Sequence, residues 1–424
     1  MHIIRLAKHS FQLNCTLFDQ AIVSGTNFLT GIILARALGF KAYGVFTLLW
    51  FLVLFLYTLY ESFFATSLMT LTSYQLEKMT ERRYYGCQRT FAMALAILAA
   101  LVSVVALVGI HLFDASVDIM PYALPLVLSV LGYLLQDSTR RLFFVRRQVV
   151  CAVCIDTLRY GSQLAVLILF LMLGTLTIEK ALWVIAICAL VSYGLFWFML
   201  PLPSWHWSTL SIIATKNWHF AKWLMGAGIL QWFSSNLLII LSGSMLGAFA
   251  VGLLRAMQNI VAVLYVILQG LDNFIPARAV QAFRQSGFAA MERFIGKAAL
   301  GMLAIFLIIA IPCLVMPDQV LHWIYGHAYH DGYGNVLRLY LLIYLMVVVN
   351  KLVGYLLQTI QYNKPQTFAY LPSVVVSTCA GYWMILHWGL WGVAIGLIIH
   401  VFLLFSIMSG CYLKRRASMV KVAL

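Results

Sequence analysis

Charged side chains are scarce in this sequence. Only 10% of its 424 residues are charged, whereas 63% are hydrophobic. A water-soluble fold cannot bury so much apolar surface, so the composition excludes an ordinary soluble protein and indicates that the lipid bilayer is the solvent. No stretch between the apolar runs is long enough for a soluble domain. Asp19 interrupts the first apolar run, and no small-residue cleavage site follows it, so we expect no removable signal peptide.

Several motifs of catalytic and metal-binding proteins are also missing. The chain contains no GxxxxGK[ST], GxSxG or HExxH, so it lacks these sequence motifs for nucleotide-driven and hydrolytic chemistry. Cys151 and Cys154 form a CxxC without a second pair, which favours small packing residues over a zinc site. Three histidines in "LHWIYGHAYHDGYG" are more typical of a solvated outer loop than of a metal site. We therefore predict a protein that is not an enzyme and that has no metal and no cofactor.

Long apolar runs are abundant instead. Runs of about 20 residues, the length that crosses the hydrocarbon as a helix, recur along nearly the whole chain. They predict an all-α, polytopic membrane protein with about twelve transmembrane helices. The predicted spans are 12–36, 45–72, 90–113, 121–142, 148–173, 177–200, 220–243, 252–276, 296–316, 336–360, 366–387 and 391–413.

Lysine and arginine are distributed unequally between the two sides of these spans. The termini and the gaps on their side hold 21 of these residues, and the opposite gaps hold 4. The positive-inside rule therefore places both termini in the cytoplasm. The net charge of +15 then reflects topology and contact with anionic lipids, so no nucleic-acid partner is needed. We predict that the arginine-rich segment "RRLFFVRRQ", residues 140–148, forms a short cytoplasmic loop.

Two segments repeat each other at an offset of 208 residues. "ILARALGFKAYGVF", residues 33–46, and "MLGAFAVGLL", residues 245–254, align Gly39 with Gly247 and Gly44 with Gly252. Each pair lies at an outer hairpin, where a permissive backbone is useful. The offset is close to half of the chain and predicts two six-helix lobes, residues 1–210 and 211–424. Six spans per lobe give both lobes the same orientation, with a substrate path expected between them.

Ionisable residues lie inside the predicted spans, although each costs at least about 2.5–3.5 kcal/mol at the bilayer centre. A protein that is only anchored would avoid them, so they indicate a hydrated interior. Asp156 and Arg159 share one face of span 5, and their spacing also allows them to neutralise each other. The residues singled out within the spans are Asp19, Glu61, Asp137, Asp156, Arg159, Arg255, Asp272 and Lys351.

Span 10 has the most suggestive single face. Tyr340, Tyr344, Lys351, Tyr355 and Gln358 fall on one narrow side of this helix. Aromatic rings stack on the C–H faces of sugars, amides and hydroxyls pair with sugar hydroxyls, and a cation holds a phosphate. The alternative is that the tyrosines pack between helices while the Lys351 stem extends towards the interface.

The stretch "NFLTGIILARALGFKAYGVFTLLW", residues 27–50, resembles the opening of the polysaccharide transporter family. That family shares a superfamily with multidrug and toxin extrusion transporters and with lipid-linked oligosaccharide flippases. "WIYGHAYHDGYGNVLRLYLLIYL" and "HWGLWGVAIGLIIHVFLLF" are similar to the segments around the tenth and twelfth helices of such flippases. The resemblance implies a two-lobed transporter that moves undecaprenyl-diphosphate-linked oligosaccharides across the bacterial inner membrane by alternating access. It also implies a polysaccharide polymerase and a chain-length regulator as partners.

These expectations assign roles to particular residues. We expect Lys351, Arg255 and Arg159 to contact the diphosphate or acidic sugars. The remaining substrate-binding residues are Asn27, Tyr340, Tyr344, Tyr355 and Gln358. A coupling proton or sodium ion is expected at Asp19, Glu61 or Asp272.

Two other functions remain open. A multidrug exporter of the same fold would use the acids to bind cationic drugs. A membrane glycan polymerase or ligase also handles lipid-linked sugars, but such enzymes need a sizeable external loop, and the longest one here has about 20 residues.

Overall fold

The computed structural model describes residues 2–76, 79–113, 119–271, 275–330, 332–362 and 364–423. The regular secondary structure of these residues is entirely helical. Its α-helices are α1 (His2–Tyr60), α2 (Thr66–Leu76), α3 (Glu81–Phe113), α4 (Met120–Val145), α5 (Val149–Met172), α6 (Ile178–Leu195), α7 (Trp207–Leu246), α8 (Ala248–Leu271), α9 (Ile275–Val315), α10 (Pro317–Tyr325), α11 (Gly334–Thr359), α12 (Lys364–Trp388) and α13 (Leu390–Ala423).

The predicted spans lie on these helices. Span 1 falls within α1, which is broken at Gly39, where φ is 73° and ψ is 163°. Span 2 begins in α1 and continues through a π-helical turn, Glu61–Ala65, into α2. Spans 3 to 9 correspond to α3 to α9, and spans 10 to 12 to α11 to α13. In the described part of the chain, nine helices are long and apolar enough to cross a membrane. That count takes α1 and α2 as one segment and omits α4 and α8. The chain is therefore a polytopic α-helical membrane protein.

The outer surface of the helices is apolar, as contact with lipid requires. On α3, Leu101, Val105 and Leu112 follow one another at helical spacing, and Leu112 is 78% exposed. Buried positions of the same helix include Ser103, whose hydroxyl donates to the Ala100 carbonyl. Large apolar side chains outside and polar ones inside are stable only if the surroundings are hydrocarbon.

The described chain forms two compact units. The first comprises Met1–Leu38 and Phe46–Ile229, and the second comprises Gly39–Val45 and Leu230–Leu424. In the first unit α4 packs against α6, where the Ser129 hydroxyl donates to the Leu182 carbonyl at 3.0 Å. In the second unit α11 and α12 pack against α13. The predicted lobe boundary at residue 210 stays a prediction.

The repeated glycines have two different structural reasons. Gly39 and Gly247 have φ values of 73° and 84°, a conformation that favours glycine, as the hairpin prediction requires. Gly44 and Gly252 are helical instead, so the turn explanation is wrong for them. A Cβ on Gly44 would lie 2.9 Å from the Gly252 nitrogen, and a Cβ on Gly252 would lie 2.9 Å from the Gly44 nitrogen. These two glycines allow two backbones to pack in direct contact.

The segment predicted as a solvated outer loop contains part of a short helix. α10 begins with Pro317 at its first helical position and Asp318 in its first turn, both favourable at a helix N-terminus. Val320, Leu321 and Tyr325 are buried on one face of this helix. The sequence analysis missed the helix because nine residues are too few for a clear helical period.

Candidate functional site

The first unit contains a cluster of ionisable side chains, built on α1, the π-helical turn Glu61–Ala65 that follows it, α4 and α5. Arg140 lies at its centre. Its Nη2 is 2.7 Å from Asp19 Oδ2, and its Nε is 2.6 Å from Asp156 Oδ2. Both carboxylates are buried, with Asp19 only 1% exposed. One arginine of α4 thus joins an acid of α1 to an acid of α5.

A second arginine of α4 extends this cluster. Arg141 Nη2 lies 3.1 Å from Glu61 Oε1, and it donates to the Tyr57 hydroxyl at 3.2 Å. Asp137 lies between both arginines, 3.5 Å from Arg140 Nη1 and 3.4 Å from Arg141 Nε. The spacing of three and four residues along α4 places these three side chains on one helix face.

Arg159 lies at the edge of the same cluster. Its Nη1 donates to the Gln136 side-chain oxygen, and the Gln136 amide donates to Asp156 Oδ1 at 2.6 Å. The guanidinium also lies over the rings of Tyr133 and Tyr160, 4.3 and 4.6 Å from their centroids. Arg159 is 1% exposed, so an amide and two rings occupy its surroundings in this conformation. Its expected contact with substrate stays a prediction.

These seven ionisable side chains are hereafter the unit 1 ion cluster: Asp19, Glu61, Asp137, Arg140, Arg141, Asp156 and Arg159. Four carboxylates stand beside three guanidiniums. With all of them ionised, the cluster has one excess negative charge, which a proton or a cation would neutralise. The acids of this cluster were predicted from the sequence, but Arg140 and Arg141 were predicted to lie in a cytoplasmic loop. The structure places both in α4, so that assignment is wrong for these two residues.

Asn27 and Gln163 follow members of this cluster on α1 and α5, and their side chains differ in exposure. Asn27 is exposed on α1. Gln163 is buried on α5 and donates to the Thr30 hydroxyl of α1 at 3.1 Å. Thr30 of span 1 is therefore in contact with α5.

The second unit contains a cavity of about 430 Å³, hereafter the unit 2 cavity. Its volume is within the range of small-molecule sites, roughly 300–1,000 Å³. The described lining contains one lysine, one histidine, three tyrosines, several amides and hydroxyls, and no carboxylate. The lining residues are Gln231, Ser234, Ser235, Gln258, Tyr340, Ile343, Tyr344, Val347, Asn350, Lys351, Tyr370, Leu397, His400, Val401, Leu404 and Met408.

The structure brings part of the predicted span 10 site into this cavity. Tyr340, Tyr344 and Lys351 of α11 all line it. Tyr355 does not, because it is buried in the apolar core of the second unit beside residues such as Met408. Gln358 is exposed on the same helix, one turn further along.

Arg255 contacts a residue that lines the cavity. Its Nη1 donates to the Gln258 side-chain oxygen at 2.8 Å, and Gln258 is a lining residue. Both lie on α8, three residues apart. Asp272, the third acid expected to bind the coupling ion, lies outside the described residues.

The sequence analysis missed two polar residues of this cavity, His400 and Asn350. Both are buried within predicted spans. Asn350 donates to the Val401 carbonyl of α13 at 2.9 Å, and His400 Nε2 lies 2.5 Å from the Ser234 hydroxyl of α7. Both could have been found from the sequence, because each is a polar residue within a long apolar run.

Comparison with known proteins identifies the fold. No protein family profile matches the chain. No curated protein matches it by sequence. A multidrug resistance MATE family transporter of the MOP superfamily, solved in an inward-facing conformation, aligns with a TM-score of 0.77 and 13% identity over 96% of both chains.

Two further solved structures have similar folds. A MOP superfamily transporter from Pyrococcus furiosus aligns with a TM-score of 0.65 and 11% identity, over 99% of this chain and 96% of its own. It is described as having a binding pocket of reverse polarity that suggests a different function. A mutant of the Vibrio cholerae MATE transporter VcmN aligns with a TM-score of 0.64 and 13% identity, over 97% of each chain. The predicted fold class is confirmed: the chain is an all-α, polytopic membrane protein with the fold of the MATE transporters.

Proposed function

We propose that this protein is a flippase that moves undecaprenyl-diphosphate-linked oligosaccharides across the bacterial inner membrane for the assembly of surface polysaccharide. The observation that carries the proposal is the chemistry of the unit 2 cavity. Its described lining combines Lys351 with three tyrosines and several hydrogen-bonding side chains, without a carboxylate. Such a lining attracts an anion bearing hydroxyl groups and disfavours a cation.

The proposed roles follow from this lining. Lys351 holds the diphosphate, and Arg255 adds a second positive charge through its position beside Gln258. Tyr340 and Tyr344 stack on the sugar faces. Asn27, Arg159, Tyr355 and Gln358 are not in the described lining, and we propose that they contact substrate at another stage of alternating access.

Transport needs such a site because the head group cannot cross lipid unaided. Its phosphates and hydroxyls would lose their hydrogen bonds to water in the hydrocarbon, at a cost of several kcal/mol for each unsatisfied group. A protein cavity replaces these bonds while the prenyl tail remains in lipid. The excess negative charge of the unit 1 ion cluster supports a coupling proton or sodium ion at Asp19 or Glu61. The same role for Asp272 stays a prediction.

The proposal is tested by replacing both cations of the second unit. Lys351→Ala with Arg255→Ala should abolish export of surface polysaccharide at normal expression. Each lost hydrogen bond to a charged group is worth about 1.5–3 kcal/mol, or about ten- to a hundredfold in affinity. Lys364→Ala, at an exposed lysine of α12, is the matched control and should export normally. Unchanged polysaccharide in the double variant would contradict the proposal.

A direct measurement uses the purified protein in liposomes with a fluorescent lipid-linked oligosaccharide. Movement of the label between leaflets should require the protein, and a proton or sodium gradient should accelerate it. Lengthening of the glycan without movement would instead identify a polymerase or ligase.

The second candidate function is export of cationic drugs. The excess negative charge of the unit 1 ion cluster favours it, and so does the fold shared with multidrug transporters. Deletion of the gene distinguishes the two functions. Drug sensitivity with intact surface glycan would favour the exporter, whereas loss of surface glycan without drug sensitivity is expected for the flippase.

A further inference from the structure

His400 is a titratable side chain inside the unit 2 cavity that the proposed roles leave unused. It lies on α13, is 6% exposed, and lines the cavity. Its Nε2 is 2.5 Å from the Ser234 hydroxyl of α7. Because a hydroxyl can donate or accept, this contact suits both the neutral and the protonated imidazole.

A hydrogen bond between α11 and α13 places His400 near Lys351. The Asn350 side chain donates to the Val401 carbonyl at 2.9 Å. Lys351 and His400 are the sequence neighbours of these two residues, and both line the cavity. The cavity therefore brings a lysine, and a histidine whose charge depends on protonation, to a similar level along the helices.

The surroundings of His400 contain no described carboxylate that would neutralise its proton. α11 contributes Lys351 and two tyrosines to the lining, and α12 contributes Tyr370. α7 contributes Ser234 and neighbouring hydroxyl and amide groups, while α8 contributes Gln258 with Arg255 behind it. On α13, the ion pair of Arg416 with Glu292 lies sixteen residues further along, about 24 Å away at 1.5 Å per residue.

We infer that His400 is a second, protonation-dependent anion ligand in the unit 2 cavity, so that binding of a diphosphate group is linked to the uptake of a proton by the imidazole. In the empty cavity, Lys351 opposes another positive charge. A bound diphosphate reverses the sign of that interaction and favours the imidazolium. Linkage is reciprocal, so protonation must also strengthen anion binding. The inference rests on the proposed function, because it assumes an anionic substrate in this cavity.

The test uses the full-length protein in nanodiscs and a short-chain analogue, farnesyl-diphosphate-N-acetylglucosamine. Its phosphates are both esterified, so the ligand itself does not titrate between about pH 5.5 and 8, where histidine does. The wild-type protein should bind it about tenfold more tightly at the lower pH, which corresponds to one unit of linked pKa. Calorimetry near neutral pH, in two buffers of different ionisation enthalpy, should show net proton uptake on binding.

His400→Gln separates this role from a structural one, because the glutamine amide can keep the contact with Ser234. The variant should bind with the weaker affinity at both pH values and take up no proton. His387→Gln is the matched control: His387 is exposed on α12, and its ring contacts the Trp383 carbonyl of its own helix. This control should retain the tenfold ratio. Lys351→Gln should bind more weakly at both pH values and retain the pH dependence.

The outcomes are distinguishable. If the wild-type protein binds the analogue but His400→Gln keeps the tenfold ratio, the inference is overturned and the proposed function stands. If the wild-type protein binds with equal affinity at both pH values and without proton uptake, the inference is overturned without reference to any variant. If it does not bind the analogue at either pH, both the inference and the proposed function are overturned.

Discussion

Gly44 and Gly252 show how one missing side chain can determine packing. A Cβ on Gly44 would lie 2.7 Å from the carbonyl carbon of Ala248, and a Cβ on Gly252 would lie 2.8 Å from that of Phe40. The opposing atoms are backbone, which cannot move aside as a flexible side chain can. Phe40 and Ala248 are related by the same 208-residue offset as the two glycines. The two repeated segments therefore pack against each other in this contact.

Substitution of Gly44 tests this contact. Gly44→Ala should destabilise the protein by about 1–3 kcal/mol, the usual cost of overpacking, and lower its melting temperature in detergent. Gly25→Ala is the control, since a Cβ there meets nothing within 4 Å and alanine is favoured in a helix. Equal melting temperatures for the two variants would contradict the close approach.

At the scale of the element, α4 organises the interior of the first unit. Its polar face carries Asp137, Arg140 and Arg141, and each arginine reaches an acid on another segment of the chain. The buried acids Asp19 and Asp156 depend on Arg140 for compensation, because an unpaired carboxylate is costly in a medium of low dielectric constant.

Loss of Arg140 should therefore destabilise the first unit strongly. We expect Arg140→Ala to cost about 3–5 kcal/mol, measured as a lower melting temperature and a poorer yield of monodisperse protein. Adding Asp19→Asn and Asp156→Asn to this variant should recover most of the loss, since the buried charges are then removed. Arg147→Ala, at an exposed arginine just after α4, should have little effect. A well-folded Arg140→Ala single variant would show that the acids are neutralised in another way.

The short helix α10 makes a separate, pH-dependent contact. The Tyr329 hydroxyl and the Gly334 amide donate to the Asp318 carboxylate, and the Tyr329 bond is the main cause that lowers the pKa of Asp318. A lowered pKa means that the folded state prefers the ionised acid. The ionised Asp318 therefore stabilises the folded state fully above its unfolded pKa of about 3.9. This stabilisation is lost as the pH falls through the lower pKa of the folded state.

Hydrogen–deuterium exchange can follow this contact. After correction for the intrinsic exchange rate, the protection of the Gly334 amide should decrease as the pH falls below about 4. Asp318→Asn should remove the pH dependence. Protection that stays constant in the wild-type protein down to about pH 2 would contradict the role of the carboxylate.

At the scale of the whole molecule, the orientation in the membrane rests on the distribution of lysine and arginine. Although Arg140 and Arg141 belong to the unit 1 ion cluster, the excess of basic residues on one side remains large. We therefore still predict cytoplasmic termini.

Single cysteines test the orientation. In a variant whose native cysteines are replaced, His330→Cys should react with a membrane-impermeant maleimide in intact cells. Gln361→Cys should react only after the membrane is opened, because its loop lies on the basic side. Both positions are exposed. The opposite labelling pattern would mean that the termini lie outside.

The apolar runs and the glycine hairpin at Gly39 were sufficient to predict the helices and the break between the first two spans. Local composition decides both features, because a helix in lipid must satisfy its own backbone hydrogen bonds. The cavity could be predicted only in part. Tyr340, Tyr344 and Lys351 share a helix face, whereas His400 and Ser234 join it from helices far away in the sequence.

The sequence by itself determined that this chain crosses the membrane many times as helices, because hydrophobicity and length are properties of each segment. The tertiary structure alone decided which charges meet. Asp19 and Arg140 are 121 positions apart. The spacing of Asp156 and Arg159 allowed a local pair, but the structure also gives Asp156 an ion pair with Arg140 of another helix. Charge pairing depends on the distances between packed helices, and no local pattern records those distances.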